Sequence, residues 1–128
     1  MSDKIKDVEI RQATAEDIKL FYPNGSPRTV YAWLALYKGV PACLAGLIID
    51  RRASCVAFSE VKEVDASKLT RWRTAQVLFA HIRALNMPMF AACEASDKNA
   101  QRFVERLGFK RYCPYKGAEI YTWPTWGY

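Results

Sequence analysis

Asp97-Lys98-Asn99-Ala100-Gln101-Arg102-Phe103-Val104-Glu105-Arg106-Leu107-Gly108-Phe109 is the stretch on which the reading of this chain turns. Ala100, Phe103, Val104 and Leu107 recur at i, i+3, i+4 and i+7, the spacing that lines one face of an α-helix. Ser96 or Asp97 supplies an N-cap, and Gly108 sits where a helix ends on a left-handed residue, with Phe109 next to pack on a core. A short amphipathic helix with a sharp stop is predicted.

Upstream, Met87 to Ala95 is a short apolar run bounded by polar residues and reads as a buried strand. Before it, Thr70 to Leu85 changes period: Trp72, Ala75, Gln76, Phe79, Ile82 and Leu85 fall near one face, which predicts the longest helix, about 24 Å at 1.5 Å per residue. A strand on either side of that helix makes a crossover, and crossovers join parallel neighbours. Farther upstream, Thr29 to Tyr37, Pro41 to Ile49 and Ser54 to about Val64 are strand-like runs. Their links, Lys38-Gly39 and Asp50 to Ala53, are of hairpin length, so an antiparallel meander is expected. Gly46 inside the middle run marks a bulge or close packing.

At the start, Val8 to Arg11 alternates as a strand, and Thr14 three residues before Asp17 forms a weakened capping box for a short helix that stops at Pro23. The cluster Pro23-Asn24-Gly25-Ser26-Pro27 is a loop. Downstream, Phe109 to Tyr115 and Ala118 to Trp123 read as a closing hairpin around Lys116-Gly117, followed by the aromatic tail Trp126-Gly127-Tyr128. The class is α+β: a mixed central sheet with an antiparallel meander and flanking helices, expected to be one domain over residues 1–128.

With 51% hydrophobic and 25% charged residues, the composition excludes the disordered and fibrous classes. The longest apolar run, Ala42 to Ile49, is far below the ~18 residues needed to span a bilayer, and the charged start has no apolar signal core. A cytoplasmic protein with no membrane partner is expected. The net charge of +6 favours anionic partners: nucleic acid, an anionic surface or a phosphate-bearing cofactor. Cys43, Cys55, Cys93 and Cys113 stand far apart with His81 as the one histidine, which predicts reduced thiols and no metal site.

Two segments resemble a known family. Ile10-Arg11-Gln12-Ala13-Thr14-Ala15-Glu16-Asp17-Ile18 resembles the opening of the GCN5-related N-acetyltransferases (GNAT), and Asn99 to Phe109 is similar to their late motif ending in "ERLGF". Tyr37-Lys38-Gly39 to Gly46 looks like the turn after the family's second strand, so the resemblance covers nearly the whole chain. It implies the acyl-CoA N-acyltransferase fold, with acetyl-CoA as acyl donor in a wedge between the fourth and fifth strands and an unidentified amine as acceptor. A homodimer is compatible with it.

The resemblance also places residues. The family loop that cradles the pyrophosphate falls on Thr70-Arg71-Trp72-Arg73-Thr74-Ala75, where arginines stand in two glycine positions. In this respect the chain looks like the compact GNAT-like proteins that some tailed phages encode. A helix start carries unpaired N–H groups and about half a positive charge, so Lys68, Arg71 and Arg73 there are unfavourable unless something anionic binds. A pyrophosphate or a nucleic-acid phosphate would supply that anion, and the plain alternative is that the arginines project into water.

Asp97 falls where the family often has an Asn that hydrogen-bonds pantetheine, and Val104 where it has a proton-donating Tyr. Asp97 accepts a hydrogen bond or caps its helix; Val104 donates nothing.

Glu60, on the third meander strand, is the expected general base, with an ordinary surface carboxylate as the plain alternative. Strand N–H groups around Val61 and Lys62 are expected to meet the cofactor, and alternation puts Glu60 and Lys62 on one face, Val61 and Glu63 on the other. His81 lies three turns into its helix, Cys93 sits in an apolar run, and Tyr31, Trp33 and Tyr37 alternate along one strand as acceptor-pocket lining or as packing. Two other classes compete with an acetyltransferase: a GNAT-like binding or virion-associated protein without catalysis, and a basic nucleic-acid binder stacking bases on Trp123, Trp126 and Tyr128.

Overall fold

The computed structural model describes residues 5–24, 29–49 and 55–123. Gly25 to Pro27, the link Asp50 to Ala53 and the tail Trp126-Gly127-Tyr128 lie outside the described residues. Among the described residues, seven strands form one sheet in the order β1-β2-β3-β4-β5-β7-β6, and three helices pack on it. The strands are β1 (Val8–Gln12), β2 (Thr29–Tyr37), β3 (Val40–Ile49), β4 (Cys55–Val61), β5 (Met89–Glu94), β6 (Lys110–Tyr115) and β7 (Ala118–Trp123). The helices are α1 (Ala15–Phe21), α2 (Lys68–Ala84) and α3 (Lys98–Arg106).

The first four strands are an antiparallel meander in near-continuous register. Lys38 and Gly39, at φ 51° and 81°, turn β2 into β3, and Lys116 and Gly117 repeat that left-handed pair between β6 and β7. The irregularity in the meander falls between Ala35 and Leu36, not at Gly46. Gly46 is close packing: a Cβ there would run into the Tyr31 carbonyl oxygen and lie 2.8 Å from Ala32 Cα.

Register assigns the two faces. Arg11 lies opposite Leu34, Leu34 opposite Leu44, and Leu44 opposite Glu60, so these share one face, with Phe58 two residues from Glu60. α1 packs here: Arg11 clamps Asp17 with nitrogens at 2.6 and 3.2 Å, and the predicted capping box is complete. The opposite face carries Ala35, Ala45 and Leu47, which join Leu78, Phe79 and Ile82 of α2 in the core. Met89, Ala91, Cys93, Phe109 and Tyr121 belong to the same core, so α2 bridges both halves of the sheet.

α3 ends as expected: Gly108 N–H bonds Glu105 O, Phe109 N–H bonds Val104 O, and Phe109 is buried. Gln101 of α3 donates to the carbonyls of Glu94 and Ala95, which pins the helix to the end of β5.

Two boundaries and one stretch of helix face depart from expectation. β4 stops at Val61 rather than near Val64: the last bond to β3 is Lys62 N–H to Ala42 O, and the chain then leaves the sheet while β3 still runs on to Val40. α2 starts at Lys68 rather than Thr70, because the Ser67 hydroxyl caps it by accepting from Thr70 N–H. Within α2, Phe79 and Ile82 are buried on the expected face, but Leu78 is buried with them and Gln76 is exposed.

Candidate active site

β4 and β5 are parallel neighbours with one register pair, Val56 beside Phe90. Beyond it the sheet opens into a wedge between the C-terminal halves of the two strands. Lys62 N–H donates to Ala42 O at 2.8 Å, on the β3 side. Peptide groups alternate along a strand, so the N–H groups of Ser59 and Val61 point the other way, into the wedge.

Glu60 stands at the edge of this opening with an exposed side chain. Its Oε1 accepts a hydrogen bond of 3.1 Å from the hydroxyl of Tyr22, the residue that closes α1. The Tyr22 ring meets Phe58 edge-on at 6.1 Å, and Lys62 Nζ lies 5.1 Å from the centre of the Phe21 ring. The last turn of α1 is thereby fastened to Phe58, Glu60 and Lys62. Burial, and then the Glu60 charge, push the Tyr22 hydroxyl up to about 12, so it keeps its proton at neutral pH. Cys43, beside Val61, is pushed up to about 11 by burial and by Glu60, and is an inert thiol.

Where β4 ends, a cleft of about 390 Å³ is lined by Val61, Lys62, Glu63, Val64, Asp65 and Arg71. Three residues predicted to contact a cofactor, Val61, Lys62 and Arg71, meet in it. Arg71 spends one N–H on the Val64 carbonyl at 3.0 Å and has others to offer. Glu63 and Asp65 were not anticipated there, and their carboxylates offset Lys62 and Arg71.

The remaining expected residues are spread more widely. Lys68 is the exposed first residue of α2, and Thr70 to Ala75 are turns of helix, as the periodicity predicts, where the resemblance lays the family's loop. The Thr74 hydroxyl is bonded to Thr70 O at 2.7 Å, Ala75 is half-buried, and Arg73 is exposed without lining the cleft. Asp97 caps α3 by accepting from Ala100 N–H at 3.0 Å. Val104 packs against the core.

Among the described residues, the N–H groups of Lys68 and Leu69 take no protein partner, and no acidic residue stands in the first turn of α2. Val61 and Leu69, 71% and 65% exposed, present aliphatic surface at the end of β4 and the start of α2.

Other candidates are drawn away from the wedge. His81 stacks on Trp33 at 5.4 Å on the opposite face, about 20 Å along α2 from its first residue. Tyr31 shares that face with Trp33. Cys93 is a buried core thiol, pushed up by burial. Tyr22 was missed by sequence reasoning: no motif surrounds it, and its one signal was a polar aromatic at the end of a short apolar helix.

No protein-family model matches the chain, and no curated protein matches it by sequence. Solved structures do. It is similar to the protein yncA of Salmonella typhimurium, solved with its cofactor acetyl-CoA, at a TM-score of 0.70 and 14% identity, covering 96% of each chain. An N-acetyltransferase of Staphylococcus aureus Mu50 superposes at 0.68 with 15% identity over 94% of this chain and 99% of that one. The ribosomal-protein-S5-alanine acetyltransferase of Vibrio fischeri superposes at 0.67 with 11% identity over 97% and 96%. With its seven-stranded mixed sheet, parted between β4 and β5, the chain has the acyl-CoA N-acyltransferase fold of the GCN5-related N-acetyltransferases.

Proposed function

We propose that this protein is a GNAT-type acetyltransferase that moves an acetyl group from acetyl-CoA to an amine. The observation that carries the reading is the parting of β4 from β5 with Glu60 at its edge and free strand N–H groups along it. The acceptor is an amine of unidentified kind.

Acetyl-CoA supplies a thioester carbonyl for attack and a thiolate as leaving group. The Ser59 and Val61 N–H groups are the strand donors for the pantetheine amides and the developing oxyanion. Val61 and Leu69 offer aliphatic contact, and Lys62, Lys68 and Arg71, with the free N–H groups of Lys68 and Leu69, are the donors for pyrophosphate. Arg73, Thr74, Ala75 and Asp97 stand farther back, Arg73 adding charge and the rest fixing the helices that carry the donors. Glu60 takes the proton that the amine nitrogen loses as the carbon–nitrogen bond forms and the carbon–sulfur bond breaks. That proton passes to solvent, which protonates the released thiolate.

One observation favours a second reading, binding without transfer: Val104 offers no proton where the resemblance implies a tyrosine. Calorimetric titration with acetyl-CoA, paired with thiol release in the presence of primary amines, separates the two. Binding with turnover that Glu60→Gln lowers at least about a hundredfold supports transfer. Binding without turnover supports the second reading, and no binding at millimolar acetyl-CoA refutes both. Affinity for DNA or RNA that falls steeply with salt would instead support a nucleic-acid binder.

A further inference from the structure

Among the described residues, an ionised Glu60 has one proton donor within hydrogen-bond reach, the Tyr22 hydroxyl. A carboxylate on an exposed strand end samples several rotamers unless something holds it. Here the holding group comes from an element 38 residues away in sequence. Tyr22 is itself held at three points: its N–H bonds Ile18 O at 2.9 Å, its ring meets Phe58 edge-on, and its hydroxyl reaches Glu60. The neighbouring Phe21 ring, under Lys62, fastens the same turn a second time.

The contact occupies Oε1 and leaves Oε2 unbonded among the described residues. With its proton held at neutral pH, the Tyr22 hydroxyl donates rather than repels.

We propose that Tyr22 is a positioning residue for Glu60: its hydroxyl fixes Oε1, turning Oε2 to the proton of an amine arriving on the α1 side of the sheet. This rests on the acetyltransferase reading above. Glu60 gains the amine proton at Oε2 and releases it to solvent, while Tyr22 keeps its own proton throughout.

The test has two arms. In protein carrying carbon-13 at the tyrosine ring carbon that bears oxygen, without acetyl-CoA, the Tyr22 resonance is identified by its loss in Tyr22→Phe. At pH 7 it is expected to stand at a different chemical shift in Glu60→Gln, because the hydroxyl loses its charged acceptor. No difference from the wild type overturns the proposal.

In the second arm, acetyl-CoA is offered with ethanolamine, benzylamine and a lysyl peptide. Tyr22→Phe, which keeps the ring on Phe58, is expected to lower kcat about tenfold with the KM for acetyl-CoA unchanged. Adding it to Glu60→Gln is expected to cost nothing more, because the two act as a unit. If Glu60→Gln is slow and Tyr22→Phe matches the wild type, the positioning role falls and the acetyltransferase reading stands. If Tyr22→Phe raises KM alone, Tyr22 is a ligand contact and the role falls. If the wild type turns over none of the amines, both fall together.

Discussion

The starts of α1 and α2 meet the same physical demand in opposite ways. Each helix begins with N–H groups that have no helical partner and with the positive end of a dipole. At α1 the chain answers from within: Thr14 and Asp17 exchange backbone and side-chain bonds in a capping box, and Arg11 ties the Asp17 carboxylate to β1. Asp17 is 7% exposed, so the charge that complements the dipole is part of the fold itself. At α2 the Ser67 hydroxyl satisfies one N–H, no acid stands in the first turn, and Lys68 and Arg71 add positive charge. One helix start is closed by its own anion, and the other is left needing one. The open start is the one beside the wedge.

The contrast breaks most sharply at Asp17. Asp17→Ala removes the box and strands Arg11, and is expected to cost about 2 to 3 kcal/mol, from a lost cap and charge-assisted bonds. Urea denaturation would read it as a lower midpoint at unchanged m. The Arg11 side chain and then the Thr14 bonds hold the Asp17 carboxyl at about 2, against 3.8 in a free chain. The unfolded chain therefore binds this proton first as pH falls. Stability from Asp17 is complete above about 3.8 and is lost as pH drops toward 2, and Asp17→Ala should lack that acid limb.

At α2 the expectation concerns binding. Arg71 lines the cleft and Arg73 does not, so Arg71→Glu should weaken acetyl-CoA at least about tenfold in calorimetric titration and Arg73→Glu much less. Equal losses would mean that long-range charge, rather than the cleft, sets the affinity.

The two helix starts also differ in how well they could be read from sequence. Thr14 and Asp17 stand three apart next to an apolar run, and a capping box is a local pattern. Ser67 was passed over because Lys68 and Leu69 follow it, and Leu69 is exposed, so apolar periodicity begins a turn late. That starts the expected helix at Thr70, two residues late, while the loop laid over Thr70 to Ala75 came from the resemblance alone.

Elements with local punctuation were legible: the Lys-Gly turns after Tyr37 and Tyr115, and the Gly108 stop of α3. β4 was overrun because Val61 to Val64 carry no Gly or Pro to mark where the chain leaves the sheet, while β3 still runs on to Val40. Alternation correctly left two choices for the face of Glu60, and register with Leu44 decides between them. The Tyr22–Glu60 contact had no local signature, since it depends on where α1 is laid across the sheet.

A smaller effect separates the caps. Ser67→Ala removes the acceptor of Thr70 N–H and the partner of the Thr70 hydroxyl, and is expected to cost ~1 kcal/mol, against the larger loss at Asp17. A cost as large as that at Asp17 would mean that the two starts are equally self-sufficient. The comparison would then lose its force.

The smallest effect is the most discriminating because its sign is reversed. Lys68 is the first residue of α2, where a cation opposes the dipole and an anion favours it by ~0.3 to 1 kcal/mol. Lys68→Glu gives the open helix start the internal anion that α1 already has. The variant should therefore be slightly more stable than the wild type without acetyl-CoA and weaker in binding it. Thermal unfolding with and without acetyl-CoA reads both, and high salt should shrink each difference because Lys68 is exposed. If stability and affinity fell together, the charge at the α2 start would be serving the fold, and the need for an outside anion would lose its physical basis.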